Sequence, residues 1–170
     1  MQAPTLQTAR LALRPPVMAD FPAYAAFWAT DHARFMGGPR QTRGAWFCFC
    51  HDVAQWALLG LGALMIQRRD TGETVGQVGL NSGPVFPETE LGWMVYPAHQ
   101  RHGFATEAAM ALRAWAFETL GLKTLVSYTD PDNAASIAVA RRLGAVRDDA
   151  APRPDPTDLV WRHSNAGLAL

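Results

Sequence analysis

The chain has little of what would assign it to a specialised class of protein. Only two of its 170 residues are cysteine, 18% are charged, and the formal net charge is zero. Without an excess of basic residues there is no surface for coating a polyanion, so we expect no nucleic-acid partner. No apolar run reaches the roughly 20 residues that span a bilayer, and no signal-like segment is present. We therefore expect a cytoplasmic protein with no membrane partner.

The scarcity of cysteine excludes a disulfide framework. Cys48 and Cys50 stand two residues apart in an apolar stretch, a spacing that cannot make an unstrained structural bridge. We expect both to be buried thiols. His51 follows them, but two thiols and one imidazole at this spacing match no zinc pattern, so we expect no metal site.

What the chain does have is enough apolar material for one core. Hydrophobic residues make up 49% of it, and its length suits one globular domain, which we predict to span residues 1–170. Apolar alternation predicts strands over 6–13, 63–68, 74–80, 90–96 and 124–129, and a last hairpin of 146–147 with 158–163. Spacings of three and four predict one helix that begins at Asp20 and three further helices that cover 42–59, 106–120 and 134–143. Hairpins followed by interleaved helices indicate an α/β (α+β) class without regular βαβ alternation.

One loop between a predicted strand and a predicted helix is rich in anion-binding features. It reads Gln100-Arg101-His102-Gly103-Phe104-Ala105-Thr106. Gly103 lets the backbone approach a ligand closely, and the first helical turn has N–H groups with no partner inside the helix. Arg101 adds a full charge to the helix dipole, which contributes roughly 0.3–1 kcal/mol to an anion at that end. The loop indicates a pyrophosphate site, although an ordinary strand-loop-helix connection is the alternative on this evidence alone.

A second motif, Asn133-Ala134-Ala135-Ser136, follows at a spacing of 33 residues from Gln100, with a predicted strand between them. Together the two motifs resemble the acetyl-CoA pyrophosphate loop and the second cofactor motif of the GNAT superfamily of N-acetyltransferases. The likeness covers residues 6–163. More specifically, the sequence resembles the Rim-type branch, which includes enzymes that acetylate the N-termini of ribosomal proteins, because residues 8–15 and 90–93 match that branch.

The resemblance implies a fold, a cosubstrate and a set of contacts. The fold would be a GNAT-type mixed, mostly antiparallel central sheet of about six to seven strands with helices on both faces. Acetyl-CoA would bind to the 100–106 loop and to Asn133, without a metal, and the backbone amide of Val95 would polarise the acetyl carbonyl. GNAT proteins are often monomers or dimers, so we expect a monomer or a homodimer.

Acetyl transfer also needs a base for the amine and a proton for the departing thiolate. By resemblance the base is Glu90, and partial burial beside Trp93 would raise its pKa into a useful range. The alternative interpretation is that Glu90 is only a solvated carboxylate at the end of a strand. Glu88 and Asp155 are weaker substitutes for the base.

The position of the usual acid departs from the family pattern. Many GNAT proteins have a tyrosine seven residues beyond the motif asparagine, where this chain has Ala140. Rim-type members often carry a serine at the place of Ser136, whose hydroxyl can bond to the sulfur. The alternative is that the Ser136 side chain hydrogen-bonds to the backbone at the start of its own helix.

The acceptor is an amine whose identity the sequence leaves open. An α-amino group has a pKa near 8 and lysine one near 10.4, so deprotonating lysine at neutral pH costs about 3 kcal/mol more. A weakly equipped site therefore favours a protein or peptide N-terminal α-amine. The alternatives are a small-molecule amine and a non-catalytic acyl-CoA-binding module, which the absent tyrosine makes conceivable.

Overall fold

A computed structural model describes residues 2–165. Within that range the strands are β1 (Leu6–Gln7), β2 (Leu11–Arg14), β3 (Ala63–Arg68), β4 (Thr74–Asn81), β5 (Glu90–Val95), β6 (Thr124–Thr129), β7 (Val146–Arg147) and β8 (Leu159–Ser164). The helices are α1 (Phe21–Trp28), α2 (Thr42–Leu59), α3 (Phe104–Glu118) and α4 (Ala134–Arg142). No helix among the described residues combines the length and apolarity of a membrane span.

All eight of these strands belong to one sheet, in the order β1-β2-β3-β4-β5-β6-β8-β7. Strands β5 and β6 are parallel, and the other neighbouring pairs are antiparallel. The predicted class, a mixed and mostly antiparallel sheet with helices, is confirmed.

The sheet has one strand more than the expected upper number because residues 6–13 do not form a single strand. The Thr8 hydroxyl accepts a hydrogen bond from the Leu11 amide at 2.9 Å, and the Thr8 amide donates to the Leu11 carbonyl at 2.9 Å. These bonds close a turn, and Leu6 pairs back onto Leu13. Alternation alone could not reveal a turn fixed by one hydroxyl.

Helices cover both faces of the sheet, as expected. Alternate residues of a strand face opposite sides. Leu91 of β5 joins a core with Leu112 of α3, whereas Met94 and Tyr96 join a separate core with residues of α1 and α2. The side chains that follow Glu90 in sequence therefore alternate between an α3 face and an α1–α2 face.

Asp20 occupies the predicted position before α1 but does not cap the helix through its side chain. Its carboxylate instead accepts two hydrogen bonds from the Arg14 guanidinium, at 2.7 and 2.8 Å, and one from the Val17 amide at 2.8 Å. Asp20 is buried, and a bidentate arginine is a stronger partner for a buried carboxylate than a neutral amide.

Strands β4 and β5 approach closely at Gly76, which pairs with Val95. A Cβ atom at position 76 would overlap the Met94 carbonyl oxygen and lie 2.9 Å from the Val95 Cα. Because these neighbours are backbone atoms, they cannot rotate away as a side chain can. Glycine is required here by contact rather than by a positive φ.

We expect Gly76→Ala to lower the free energy of unfolding by about 1–3 kcal/mol, the usual cost of overpacking. Urea denaturation followed by circular dichroism measures it. The matched control is Gly44→Ala within α2, where the added Cβ would lie 3.3 Å from the Arg40 Cβ, an atom of a side chain. This substitution gains roughly 1 kcal/mol of helix propensity. A Gly76→Ala protein as stable as the wild type would contradict the close approach.

Candidate active site

The two parallel strands β5 and β6 pair at the start of β5 and, among the described residues, at no later position. Glu90 and Val126 are their one aligned pair among the described residues, whereas β4 and β5 pair at six positions. Near this pair the Ser127 hydroxyl donates to the Leu91 carbonyl at 2.6 Å. Beyond it the described residues of the two strands form no further aligned pair, from which we infer that the strands diverge and leave an opening at their carboxyl ends. Crevices at the carboxyl ends of adjacent parallel strands are common ligand sites.

The backbone amide of Val95 points toward this opening. The next amide, that of Tyr96, donates to the Val75 carbonyl on β4 at 2.8 Å. Successive N–H groups of a strand point to opposite edges, so the Val95 N–H points away from β4. That edge is the one from which β6 has separated, and the amide is therefore available to a ligand.

The predicted anion loop is separated from β5 by one 3-10 turn, Pro97–His99, and begins α3. Arg101 has φ 65° and Gly103 has φ 79°, so two left-handed residues turn the chain into the helix. The Gln100 side chain donates to the Val95 carbonyl at 3.1 Å, and Nδ1 of His102 lies 2.8 Å from the Gln100 carbonyl. These contacts hold the loop against the end of β5.

Gly103 is the N-cap of α3, so the helix begins two residues earlier than predicted. The first intrahelical bond joins the Glu107 amide to the Gly103 carbonyl at 3.1 Å. The amides of Phe104, Ala105 and Thr106 consequently have no partner within the helix. Phe104 is buried and anchors the turn, while Gln100, Arg101 and His102 are exposed.

The second motif forms the N-terminus of α4. The Asn133 side-chain oxygen accepts a hydrogen bond from the Ser136 amide at 3.1 Å. This cap uses neither the NH₂ group of Asn133 nor the Ser136 hydroxyl. Because α4 follows β6 as α3 follows β5, and the two strands are parallel, both helix N-termini lie at the same edge of the sheet.

Glu90 is half-buried at the start of β5. Its Oε2 accepts a hydrogen bond from Asn81 Nδ2 at 2.9 Å, and Asn81 Oδ1 accepts one from Gln55 of α2 at 3.2 Å. Burial raises the pKa of Glu90 to about 7, against the opposing effects of Asn81 and the Tyr128 backbone. The carboxyl thus exchanges its proton near neutral pH, as a general base must.

The two substitute bases are engaged or exposed. Glu88 accepts two hydrogen bonds from Arg162, both at 2.8 Å, and these bonds hold its pKa below the ordinary value. Asp155 is exposed, and hydrogen bonds from Thr157 lower its pKa. Of the three carboxyls, Glu90 alone has a raised pKa.

The sequence analysis missed the residues that support Glu90. Asn81 and Gln55 lie 9 and 35 positions before it in the chain, and no local pattern marks them. It named Trp93 only as a neighbour of Glu90 and did not name Tyr128. Two polar atoms of these residues lie on the strands that flank the opening, Trp93 Nε1 and the Tyr128 hydroxyl. Both are buried without a hydrogen-bond partner in the described structure, as donors awaiting a ligand or water would be.

The cysteines and the potential metal ligands form no further site in the described range. Cys48 and Cys50 are free thiols, half-buried rather than fully buried as we had expected. Within residues 2–165, no three side chains of histidine, cysteine, aspartate or glutamate are grouped in a way that could hold a metal ion.

Comparison with known proteins identifies the fold's relatives. Residues 10–146 match the family model of the acetyltransferase (GNAT) domain. A crystal structure of an acetyltransferase from Agrobacterium tumefaciens str. C58 is 55% identical, with a TM-score of 0.94 over 97% of this chain and 96% of that one.

Two other similarities are more distant. An uncharacterized N-acetyltransferase, YoaA, of Bacillus subtilis (strain 168) is 32% identical over 80 residues; the match spans 46% of this chain and under half, 45%, of that protein. A RimL ribosomal L7/L12 α-N-protein acetyltransferase in complex with coenzyme A is 17% identical, with a TM-score of 0.76 over 95% of this chain and 98% of that one. At that identity the likeness shows the fold alone.

The raised pKa of Glu90 predicts an unusual stability effect. A carboxyl whose pKa rises on folding from 4.5 to about 7 binds its proton more tightly in the folded state, so stability falls as the pH rises through this interval. Glu90→Gln removes the charge, and we expect it to raise the free energy of unfolding at pH 8, by up to about 3 kcal/mol, with little effect near pH 4. Chemical denaturation at both pH values measures the difference.

Glu88→Gln is the matched control, since its pKa is lowered by Arg162. Its ionised form stabilises the folded state above the ordinary pKa, so the substitution should destabilise the protein at pH 8 and lose its effect as the pH falls. Destabilisation by Glu90→Gln at pH 8 would show that the ionised Glu90 carboxylate does not lower the free energy of unfolding.

Proposed function

This chain belongs to the GNAT acetyltransferase family, and we propose that it transfers the acetyl group of acetyl-CoA to a primary amine. The leading acceptor is the α-amine of a protein or peptide N-terminus. The observation that carries the proposal is the opening between β5 and β6, toward which the Val95 amide points. This amide and the amides that begin α3 follow one another along the chain, as a long ligand with a diphosphate and a reactive end requires.

In the proposed complex, amides of Gly103 to Thr106 donate to the diphosphate of acetyl-CoA, and the positive end of α3 favours its charge. Arg101 and His102 contribute exposed polar groups beside it, with Gln100 bonded to the Val95 carbonyl. The free NH₂ group of Asn133 donates to a carbonyl of the pantetheine arm.

Val95 and Glu90 then act on the reacting atoms. The Val95 amide donates to the thioester oxygen and stabilises the negative charge that develops there. Glu90 removes a proton from the amine, directly or through water, and the amine nitrogen attacks the carbonyl carbon. A C–N bond forms, the C–S bond breaks, and the sulfur leaves as a thiolate that accepts a hydrogen bond from the Ser136 hydroxyl. As the thiolate takes the Ser136 proton, a solvent water reprotonates the hydroxyl, and Glu90 returns the amine proton to solvent.

The electrostatics of the site support an α-amine acceptor. Glu90 has a pKa of about 7, which is close to the value near 8 of an α-amine and far from the value near 10.4 of lysine. Proton transfer from the α-amine to Glu90 is therefore the less costly step. The resemblance to the Rim-type branch, which we propose as this chain's place within the family, agrees with that acceptor.

A panel of amines tests the proposed function. With acetyl-CoA as donor and release of free thiol as the readout, a peptide with a free N-terminus and no lysine should turn over faster than the same peptide with an acetylated N-terminus and one lysine. Turnover of small amines alone would move the acceptor to that class. Failure of every acceptor together with no binding of coenzyme A by calorimetry would overturn the proposal.

Glu90→Gln tests the base. We expect kcat to fall about 10²- to 10⁴-fold, the usual contribution of a general base, while the affinity for acetyl-CoA is unchanged. In the wild type the logarithm of kcat should rise with pH and level off above about 7, and in the variant this rise should be absent. Glu88→Gln, which breaks the half-buried ion pair with Arg162, is the control and should keep the rise. Unchanged turnover in Glu90→Gln would remove Glu90 from the mechanism.

A further inference from the structure

The start of the chain is bonded to the beginning of α3 through one arginine and one glutamate. The Glu107 carboxylate accepts hydrogen bonds from the Arg10 amide at 3.0 Å and from Arg10 Nε at 2.7 Å, and Arg10 Nη2 lies 2.7 Å from Glu107 Oε2. The Thr8 hydroxyl adds a hydrogen bond to the same carboxylate at 2.5 Å. Two segments 97 residues apart are thereby joined beside the anion loop.

Arg10 also holds a peptide group of the loop itself. Its Nη1 donates to the His102 carbonyl at 3.0 Å, and its guanidinium lies over the Phe104 ring at 5.0 Å. In a planar trans peptide the C=O and the following N–H point in opposite directions. With the His102 carbonyl held by Arg10, the Gly103 N–H is turned away from Arg10 and toward the open side of the loop.

The arginine also packs against the glycine of the loop. A Cβ atom at Gly103 would lie 3.4 Å from Arg10 Nη2, so the guanidinium packs directly against this glycine. The neighbouring Arg101 has φ 65°, a left-handed conformation that costs a non-glycine residue of order 1 kcal/mol or more. A strained turn persists when its surroundings fix it, and the bond from Arg10 to the next residue does so.

Arg10 further compensates a charge that would oppose ligand binding. Glu107 lies in the first turn of α3, and hydrogen bonds from Thr8 and Arg10 lower its pKa although burial opposes them, so it is ionised at neutral pH. An uncompensated carboxylate at this end of the helix would repel a diphosphate. The ion pair with Arg10 removes that repulsion.

We propose that Arg10 is a positioning residue for the cofactor loop: it fixes the 102–103 peptide so that the Gly103 amide faces the diphosphate, and it neutralises Glu107. This inference rests on the proposed function, since it takes acetyl-CoA as the ligand of the loop. Arg10 touches neither the cofactor nor the acceptor in this arrangement.

The test is the affinity of Arg10→Ala for coenzyme A, measured by calorimetry. We expect the dissociation constant to rise about tenfold or more, the loss that one charge-assisted hydrogen bond predicts. The KM for acetyl-CoA should rise in parallel, and kcat at saturating acetyl-CoA should stay within about twofold of the wild type. The double variant Arg10→Ala with Glu107→Gln should bind more tightly than Arg10→Ala alone, because it removes the unpaired carboxylate.

Two further variants keep the result interpretable. Arg68→Ala removes a nearby arginine that is bonded to Asp70 and lines the same surface cavity as Arg10 and His102; it should bind coenzyme A like the wild type. Arg10→Gln removes the guanidinium but keeps a longer, polar side chain at this exposed position, and it serves if Arg10→Ala does not fold.

Several outcomes would overturn the inference. Unchanged affinity in the Arg10 variants would show that the loop does not depend on this side chain. An equal loss in Arg68→Ala would show that general positive charge, not loop geometry, sets affinity. A wild-type protein that does not bind coenzyme A would refute the proposed function instead.

Discussion

The arrangement of the site depends on one pair of parallel strands that stops pairing after the first residue of β5. Glu90 and Val126 are aligned, and beyond them β5 keeps its full pairing with β4 alone. The N–H groups on the other edge of β5 therefore lose a protein partner, which a buried or half-buried amide tolerates only if a ligand or water replaces it. The opening toward which the Val95 amide points is thus a consequence of strand geometry.

The alternation of side chains along β5 gives this opening two different sides. Leu91 and the residues in phase with it pack toward α3, which begins with the anion loop. Glu90 lies on the other side, where Asn81 connects it to Gln55 of α2. In the proposed reaction the cofactor and the acceptor consequently approach from opposite faces of the sheet, and the thioester meets the amine between β5 and β6. The proposed reaction thus draws on one strand both for the amide that would polarise the thioester and for the carboxyl that would accept the proton.

Local patterns in the sequence predicted the parts of the molecule that depend on neighbours in the chain. Both α2 and β6 have the predicted bounds, and the glycine loop begins a helix as its composition indicates. The patterns failed where a distant side chain decides. Thr8 closes a turn inside an expected strand, and Arg162, 74 residues from Glu88, engages a carboxyl that we had considered as a base. Ion pairs of this kind are formed by the tertiary fold, and neither periodicity nor spacing encodes them.

The most direct test of this account is the backbone amide spectrum of the ¹⁵N-labelled protein titrated with coenzyme A and, separately, with acetyl-CoA. The account predicts that amides from Gly103 to Thr106 shift with both ligands, because both carry the diphosphate. It predicts that the Val95 amide shifts more with acetyl-CoA, because only that ligand carries the acetyl carbonyl. Shifts confined to other surfaces, or a Val95 amide that responds to neither ligand, would contradict the central claim.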